Sequence, residues 1–184
     1  MKVIAAVGKN GTGKDFFLEY IRDKYALPMV SIGDIARELA ARDGLELTRE
    51  NLHKTSQKYM GQFGQTFFPE QIVKKIRESG ALVYLVSGIR PPSDVQFFKD
   101  AFGDDFLLVD IVISDDEVRY ARMLARGSAR DGNSAEKLRE FDAGEESKFH
   151  TSESEKLASV TIYNDGGKED FFAAIEGFYE AHVK

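Results

Sequence analysis

The sequence predicts an α/β domain: a parallel sheet with helices packed on both faces. Three observations carry this. Short apolar runs of the buried-strand type alternate along the chain with stretches whose apolar residues recur at helical spacing. The first strand and first helix are joined by a glycine-rich turn ending in lysine, Gly8-Lys9-Asn10-Gly11-Thr12-Gly13-Lys14. A hydrophobic content of 42% over 184 residues suits one domain, residues 1–184, with a sizeable core.

The elements follow in order. Residues 3–7 are an unbroken apolar strand, and Phe16, Phe17, Leu18 and Ile21 give the next stretch a helical apolar stripe. Residues 27–32 read as a second short strand. Gly33-Asp34 opens a helix over about 35–42, which Asp43-Gly44 ends. Thr48 starts another helix, with Leu52, Thr55, Tyr59 and Met60 on one face, interrupted at Gly61, Gly64 and Pro69. A helix resumes near Glu70 and stops at Ser79-Gly80, before a third strand at 81–86. Pro91-Pro92 starts a helix with Val95, Phe97 and Phe98 inward. Residues 106–113 form the fourth strand, in which Asp110 is an acid with no evident role. Ser114 and Glu117 have the spacing of a capping box, opening a helix that carries Arg119, Arg122 and Arg126. A polar segment at 127–134 precedes a charged helical stretch from 135 to about 157. Residues 160–163 are the fifth strand, and 171–179 a closing helix.

The turn meets the pattern G-x-x-x-x-G-K at Gly8, Gly13 and Lys14. Glycines at 8, 11 and 13 let the backbone curl with its N–H groups inward, toward phosphate. The N-terminus of the following helix adds free N–H groups and a positive dipole end. Lys14 would reach the β- and γ-phosphate oxygens as a point charge. The residue after it, expected to be Ser or Thr for magnesium, is Asp15. A second constellation lies at the strand ends. Asp34 and Arg37 follow the second strand and Gly88-Ile89-Arg90 follows the third. Two guanidinium groups beside a phosphate loop suit a second, phosphorylated substrate, because each binds phosphate in bidentate fashion.

Composition narrows the partners. Lys plus Arg is 25 and Asp plus Glu is 31, a net charge of −6, which argues against non-specific binding to nucleic acid or an acidic membrane. There is no cysteine, so no disulfide or thiolate metal site. No signal-peptide pattern or bilayer-length apolar run occurs, so a cytoplasmic location is expected. His53, His150 and His182 are scattered and read as structural.

On these pieces the chain resembles the nucleoside monophosphate kinase branch of the phosphate-binding-loop (P-loop NTPase) fold. In particular it is similar to archaeal adenylate-kinase-related and dephospho-coenzyme-A-kinase-like proteins. The matching residues are Gly8 to Lys14, Ser31-Ile32-Gly33-Asp34-Ile35-Ala36-Arg37-Glu38, Gly88-Ile89-Arg90, Arg119-x-x-Arg122-x-x-x-Arg126-Gly127 and Ile162-Tyr163-Asn164-Asp165-Gly166. The resemblance implies a five-stranded parallel sheet of order 2-3-1-4-5. It implies an acceptor-binding insertion at about 43–80 and a lid at about 127–146. ATP and Mg2+ would be the cofactors, and the protein a monomer or homodimer. Gly8, Asn10, Gly11, Thr12, Gly13, Lys14, Asp15 and Phe16 would hold ATP. Arg122 would lie near the lid over phosphates and adenine, with Asn164 and Gly166 as the adenine-side wall. Asp34, Arg37 and Arg90 would bind the acceptor, and Lys14, Arg90 and Arg126 would act in catalysis. Phe63, Phe67 and Phe68 would be base-stacking residues or insertion core.

The chain departs from that branch in two places. The acid usual at the end of the third strand is Ser87, so Asp15 and Ser87 together would serve magnesium in exchanged roles. The lid's Arg-Asp pair is Phe141-Asp142, with Arg130 or Arg139 as substitutes. The expected reaction is transfer of the γ-phosphoryl of ATP to a nucleoside or deoxynucleoside monophosphate. Dephospho-coenzyme A is the alternative acceptor, and a slow ATPase acting as a nucleotide-binding regulator is the alternative of another class.

Overall fold

The apolar run near the N-terminus forms β1 (Lys2–Val7), and the glycine-rich turn leads into α1 (Lys14–Tyr25). Then come β2 (Met29–Ser31), α2 (Ile32–Arg42), α3 (Arg49–Phe63), α4 (Phe67–Ser79), β3 (Val83–Ser87) and α5 (Pro92–Phe102). A 3-10 turn at Gly103–Asp105 precedes β4 (Phe106–Val112), α6 (Asp116–Arg126), α7 (Ala135–Phe149), α8 (Thr151–Lys156), β5 (Val160–Tyr163) and α9 (Lys168–His182). These coordinates are a computed structural model, which describes residues 1–127 and 134–184. Part of the expected lid, residues 128–133 with Arg130, lies outside the described residues.

The five strands pair in parallel in the order β2-β3-β1-β4-β5, the predicted topology. Alternation along each strand divides the core between two faces. Ile4, Ala6, Leu85, Val109 and Ile111 meet α1 and α9 through Phe17, Ile21, Ile175 and Phe178. Val3, Ala5, Val86, Phe106 and Leu108 meet α2, α4 and α5 through Ile35, Ile72, Ile76, Val95 and Phe98. Within the expected insertion, Phe67 and Phe68 join this second cluster, and Phe63 is exposed.

Several boundaries differ from the sequence reading, each for a local reason. Helix α2 starts at Ile32 because Ser31 caps it. The Ser31 hydroxyl accepts from Asp34 N–H at 2.9 Å, and the Asp34 carboxylate accepts from Ser31 N–H at 2.8 Å. The capping box expected of Ser114 and Glu117 does not form. Ser114 instead donates through its N–H and its hydroxyl to the Asp165 carboxylate, both at 2.7 Å, and Asp115 caps α6 by accepting from Glu117 N–H. The charged stretch after 134 is two helices. His150 adopts a left-handed conformation (φ 51) that closes α7 and turns the chain into α8. That bend lays α8 against β1 and α5, at the carboxyl edge of the sheet.

Candidate active site

Two cavities open at the carboxyl ends of the strands, one on each side of the glycine-rich turn. The turn's conformation accounts for its glycines. Gly8 has φ +133, and a Cβ there would meet the Ile111 carbonyl oxygen at 2.4 Å. Gly11 has φ +87, and a Cβ there would strike Met123 at 2.5 Å. Side chains are excluded at both positions by backbone strain and by contact. Thr12 is buried, its hydroxyl donating to the Lys9 carbonyl at 3.0 Å. The Lys14 ammonium reaches the Lys9 carbonyl and the Asn10 Oδ1, both at 3.4 Å. Burial lowers the Lys14 pKa, and Arg90 lowers it further against the opposing pull of Asp15.

The first cavity, about 360 Å³, is lined on one side by Val7, Gly8, Lys9, Asn10 and Lys14 and on another by Ile89 and Arg90. Its far wall comes from α7 and α8, including Asp142, Glu145, Glu146 and Glu155. Arg90 donates to Glu145 at 3.0 Å and lies over the Phe149 ring, and its carbonyl accepts from the buried Ser154 hydroxyl at 2.6 Å. Lys14 and Arg90 line this same cleft. Arg37 is paired with Asp34 at the start of α2, and neither is among the residues lining this cavity. Burial opposes ionisation of Asp34, but hydrogen bonds from Arg37 and Ser31 outweigh it and hold its pKa low.

The second cavity, about 350 Å³, is lined by Gly13, Phe16, Arg122, Asn164 and Gly166, with Lys168 and Phe171. Five residues expected to hold the nucleotide thus share one groove. Asn164 Nδ2 donates to the Thr12 carbonyl at 2.8 Å, tying the loop after β5 to the glycine-rich turn. The Arg122 guanidinium donates to the carbonyls of Asn164, Asp165 and Gly166 at 2.7, 3.0 and 3.0 Å. It braces that loop from α6. Arg126 is the last residue of α6. Of the proposed magnesium residues, Asp15 is exposed in the first turn of α1 and Ser87 is buried at the end of β3. Among the described residues no group of three or more His, Asp or Glu is arranged to hold a metal. Both Asp15 and Ser87 are oxygen donors of the type magnesium takes, but neither is among the residues lining the two cavities.

Sequence reasoning missed Arg119 as a site residue. It is fully buried and donates to the Asn10 carbonyl at 2.7 Å, so it holds the glycine-rich turn from behind. The same guanidinium makes a two-pronged pair with Asp142 of α7 and reaches Asp116 at 3.0 Å. Tyr120 adds a hydrogen bond to Asp142 at 2.9 Å. The available signal was the i, i+3 spacing of Asp116 and Arg119. Arg139, a candidate for the lid, pairs with Glu117 instead.

A family model described as an AAA domain matches residues 7–139. A UPF0200 protein of Thermococcus onnurineus is 32% identical over 97% of this chain and 96% of its own length. A UPF0200/UPF0201 protein of Archaeoglobus fulgidus is 42% identical over 95% of this chain, which spans about half (54%) of that longer relative. Among solved structures, a shikimate kinase from Bacteroides thetaiotaomicron shares the fold, with a TM-score of 0.56 at 14% identity over 98% of this chain and 97% of its own. No described helix is long and apolar enough to cross a membrane. The chain carries an AAA domain built on a phosphate-binding loop, and it belongs to the UPF0200 family.

Proposed function

We propose that this protein is an ATP-dependent phosphotransferase that moves the γ-phosphoryl group to a small acceptor bearing a phosphate. The observation that carries this is the placement of two cavities of similar size on either side of one phosphate loop. The groove at Phe16, Asn164 and Gly166 takes the nucleoside end of ATP. The loop amides and Lys14 take its phosphates, and the cleft holding Arg90 takes the acceptor. Such a site aligns two anionic partners and neutralises the moving group, which is most of what phosphoryl transfer needs.

Asp15 and Ser87 would complete the shell of the magnesium that arrives with ATP, and the ion would offset charge on the β- and γ-phosphates. Arg90 would grip the acceptor phosphate, joined by Arg37 when α2 and its neighbours close. Residues 43–80 would form the acceptor side and 127–146 the lid that excludes water, with Arg126 at its base. A nucleoside or deoxynucleoside monophosphate and dephospho-coenzyme A are the acceptors to compare.

The test is a coupled ADP-release assay with ATP and magnesium against both acceptor types. ADP production that depends on acceptor is expected. One low rate, identical with every acceptor and with none, would refute the reading and leave a slow ATPase with a regulatory role.

A further inference from the structure

Four carboxylates line the cleft beside Lys14, and three are already engaged. Asp142 is held by Arg119 and Tyr120. Glu145 accepts from Arg90. Glu146 accepts from the Ser152 N–H at 2.9 Å, the Ser152 hydroxyl at 2.6 Å and the Thr151 hydroxyl at 2.9 Å, which brings its pKa down to about 2. Asp34, the acid nearest the acceptor in the sequence reading, is likewise committed to Ser31 and Arg37. Glu155 is different. Its Oε1 is buried and has no hydrogen-bond partner among the described residues. The left-handed turn at His150 brings it here by aiming α8 at the end of β1, where Glu155 shares the cleft wall with Val7, Gly8 and Lys14.

We infer that Glu155 is the general base of the transfer, and that the acceptor attacks through a hydroxyl group rather than a phosphate oxygen. The inference rests on the phosphotransfer reading and narrows its substrate class to an alcohol. A phosphate-oxygen nucleophile is already ionised at neutral pH and needs no base. An alcohol keeps its proton until attack, and a positioned carboxylate with a free lone pair is what removes it. In the step, the acceptor O–H proton passes to a Glu155 carboxylate oxygen as the acceptor oxygen bonds to the γ-phosphorus. The bond from that phosphorus to the β,γ-bridging oxygen breaks, and ADP departs with the electron pair. The products are ADP, a phosphate monoester and a protonated Glu155 that returns its proton to water.

The surroundings suit a base working near neutrality. Burial and then the charge of Asp110 on β4 raise the Glu155 pKa, with Glu146 of α7 adding to them. Lys9 and Lys14 of the phosphate loop pull it back, and it lies at about 6. Asp110 is the register partner of Val7, so the acid with no evident role in the fourth strand lies beside the root of the phosphate loop.

The experiment compares the parent chain with Glu155→Gln, using ATP, magnesium and, separately, AMP, CMP, dAMP and dephospho-coenzyme A. Products are identified by phosphorus NMR. The expected product is a phosphate monoester. The variant should lose about 10²–10⁴-fold in kcat, the range for removing a general base, with KM for ATP held within about twofold. The parent's kcat should rise with pH through about 6, and the variant's residual rate should not. A phosphoanhydride product from the parent would overturn the inference even if the variant failed to fold. So would a folded variant that turns over like the parent. In both cases acceptor-dependent turnover survives, so the phosphotransfer reading stands. Loss of acceptor dependence in the parent with every acceptor would remove that reading and this inference together.

Discussion

Asp110 offers a stability test with a defined sign. It sits in β4, where Phe106, Leu108, Val109 and Ile111 are buried in the core, and its buried Oδ1 has no partner among the described residues. Burial raises its pKa from the ordinary 3.8 to about 6. The protonated form is therefore favoured in the folded chain. Below pH 3.8 the folded and unfolded chains both carry the proton, and the group costs nothing. As pH rises the unfolded chain releases its proton first, and stability falls until the folded group ionises near 6, after which the loss is constant. At about 1.4 kcal/mol per pH unit between the two values the full loss is at most about 3 kcal/mol, solvent screening of this half-buried group reducing it. Asn is the neutral isostere of the protonated acid. Asp110→Asn should therefore melt with the parent near pH 4 and above it at pH 8. For a chain of this size that upper bound corresponds to about 6–12 °C. Calorimetry of both proteins at the two pH values measures it. A difference in melting temperature that is the same at both, or a variant less stable than the parent at pH 8, would refute the account. Because the charge of Asp110 also raises Glu155, the acid limb of the parent's rate profile should move down in this variant.

Two further outcomes follow from the site. Arg119→Met strands the Asp142 carboxylate and frees the Asn10 carbonyl, so it should cost about 3–5 kcal/mol in urea unfolding, as for breaking a buried pair. Adding Asp142→Leu should recover a large part of that, and strictly additive losses would contradict the coupling. Asp15→Ala should lower turnover at saturating magnesium by at least about tenfold, the scale of losing a group that supports a metal, with ATP-induced thermal stabilisation retained. Activity equal to the parent would remove Asp15 from the magnesium shell.

The strands and the two-sided core were legible because they rest on signals with long reach, whereas the strand order came only from the family resemblance. Continuous apolar runs mark buried strands, and the glycine pattern marks one particular strand-to-helix turn. Elements governed by competition between polar side chains were not legible. Ser114 had the spacing of a helix cap, but Asp165, 51 residues later, claims both its N–H and its hydroxyl. The break at His150 falls in a polar stretch with neither glycine nor proline to announce it, so nothing local separates α7 from α8. Arg119 stands in a stretch of regularly spaced arginines, of which Arg122 and Arg126 looked equally qualified. Its burial depends on Asp142, a partner 23 residues away on α7. Glu155 was one acid among many in a charged helix. What distinguishes it is a buried Oε1 without a partner among the described residues, which a sequence does not display.

Two of the ion pairs made by α7, those at Asp142 and Glu145, differ in how readily they can part, and that difference bears on access to the cleft. Arg119 and Asp142 form the tighter pair, with the guanidinium fully buried, hydrogen-bonded on several sides and tied to the phosphate loop. Separating them leaves a charge in a dry place, at a cost of several kcal/mol. Arg90 and Glu145, one helical turn further along α7, have side chains 46% and 29% exposed. A pair that open to water contributes about 0–1 kcal/mol. An acceptor phosphate offers Arg90 a bidentate partner with more charge than the single carboxylate contact it replaces. On the proposed reading an acceptor would therefore take Arg90 from Glu145 without loosening Asp142. The wall would stay anchored to the phosphate loop while the cleft exchanged its contents, and the release of Glu145 would need no refolding of α7.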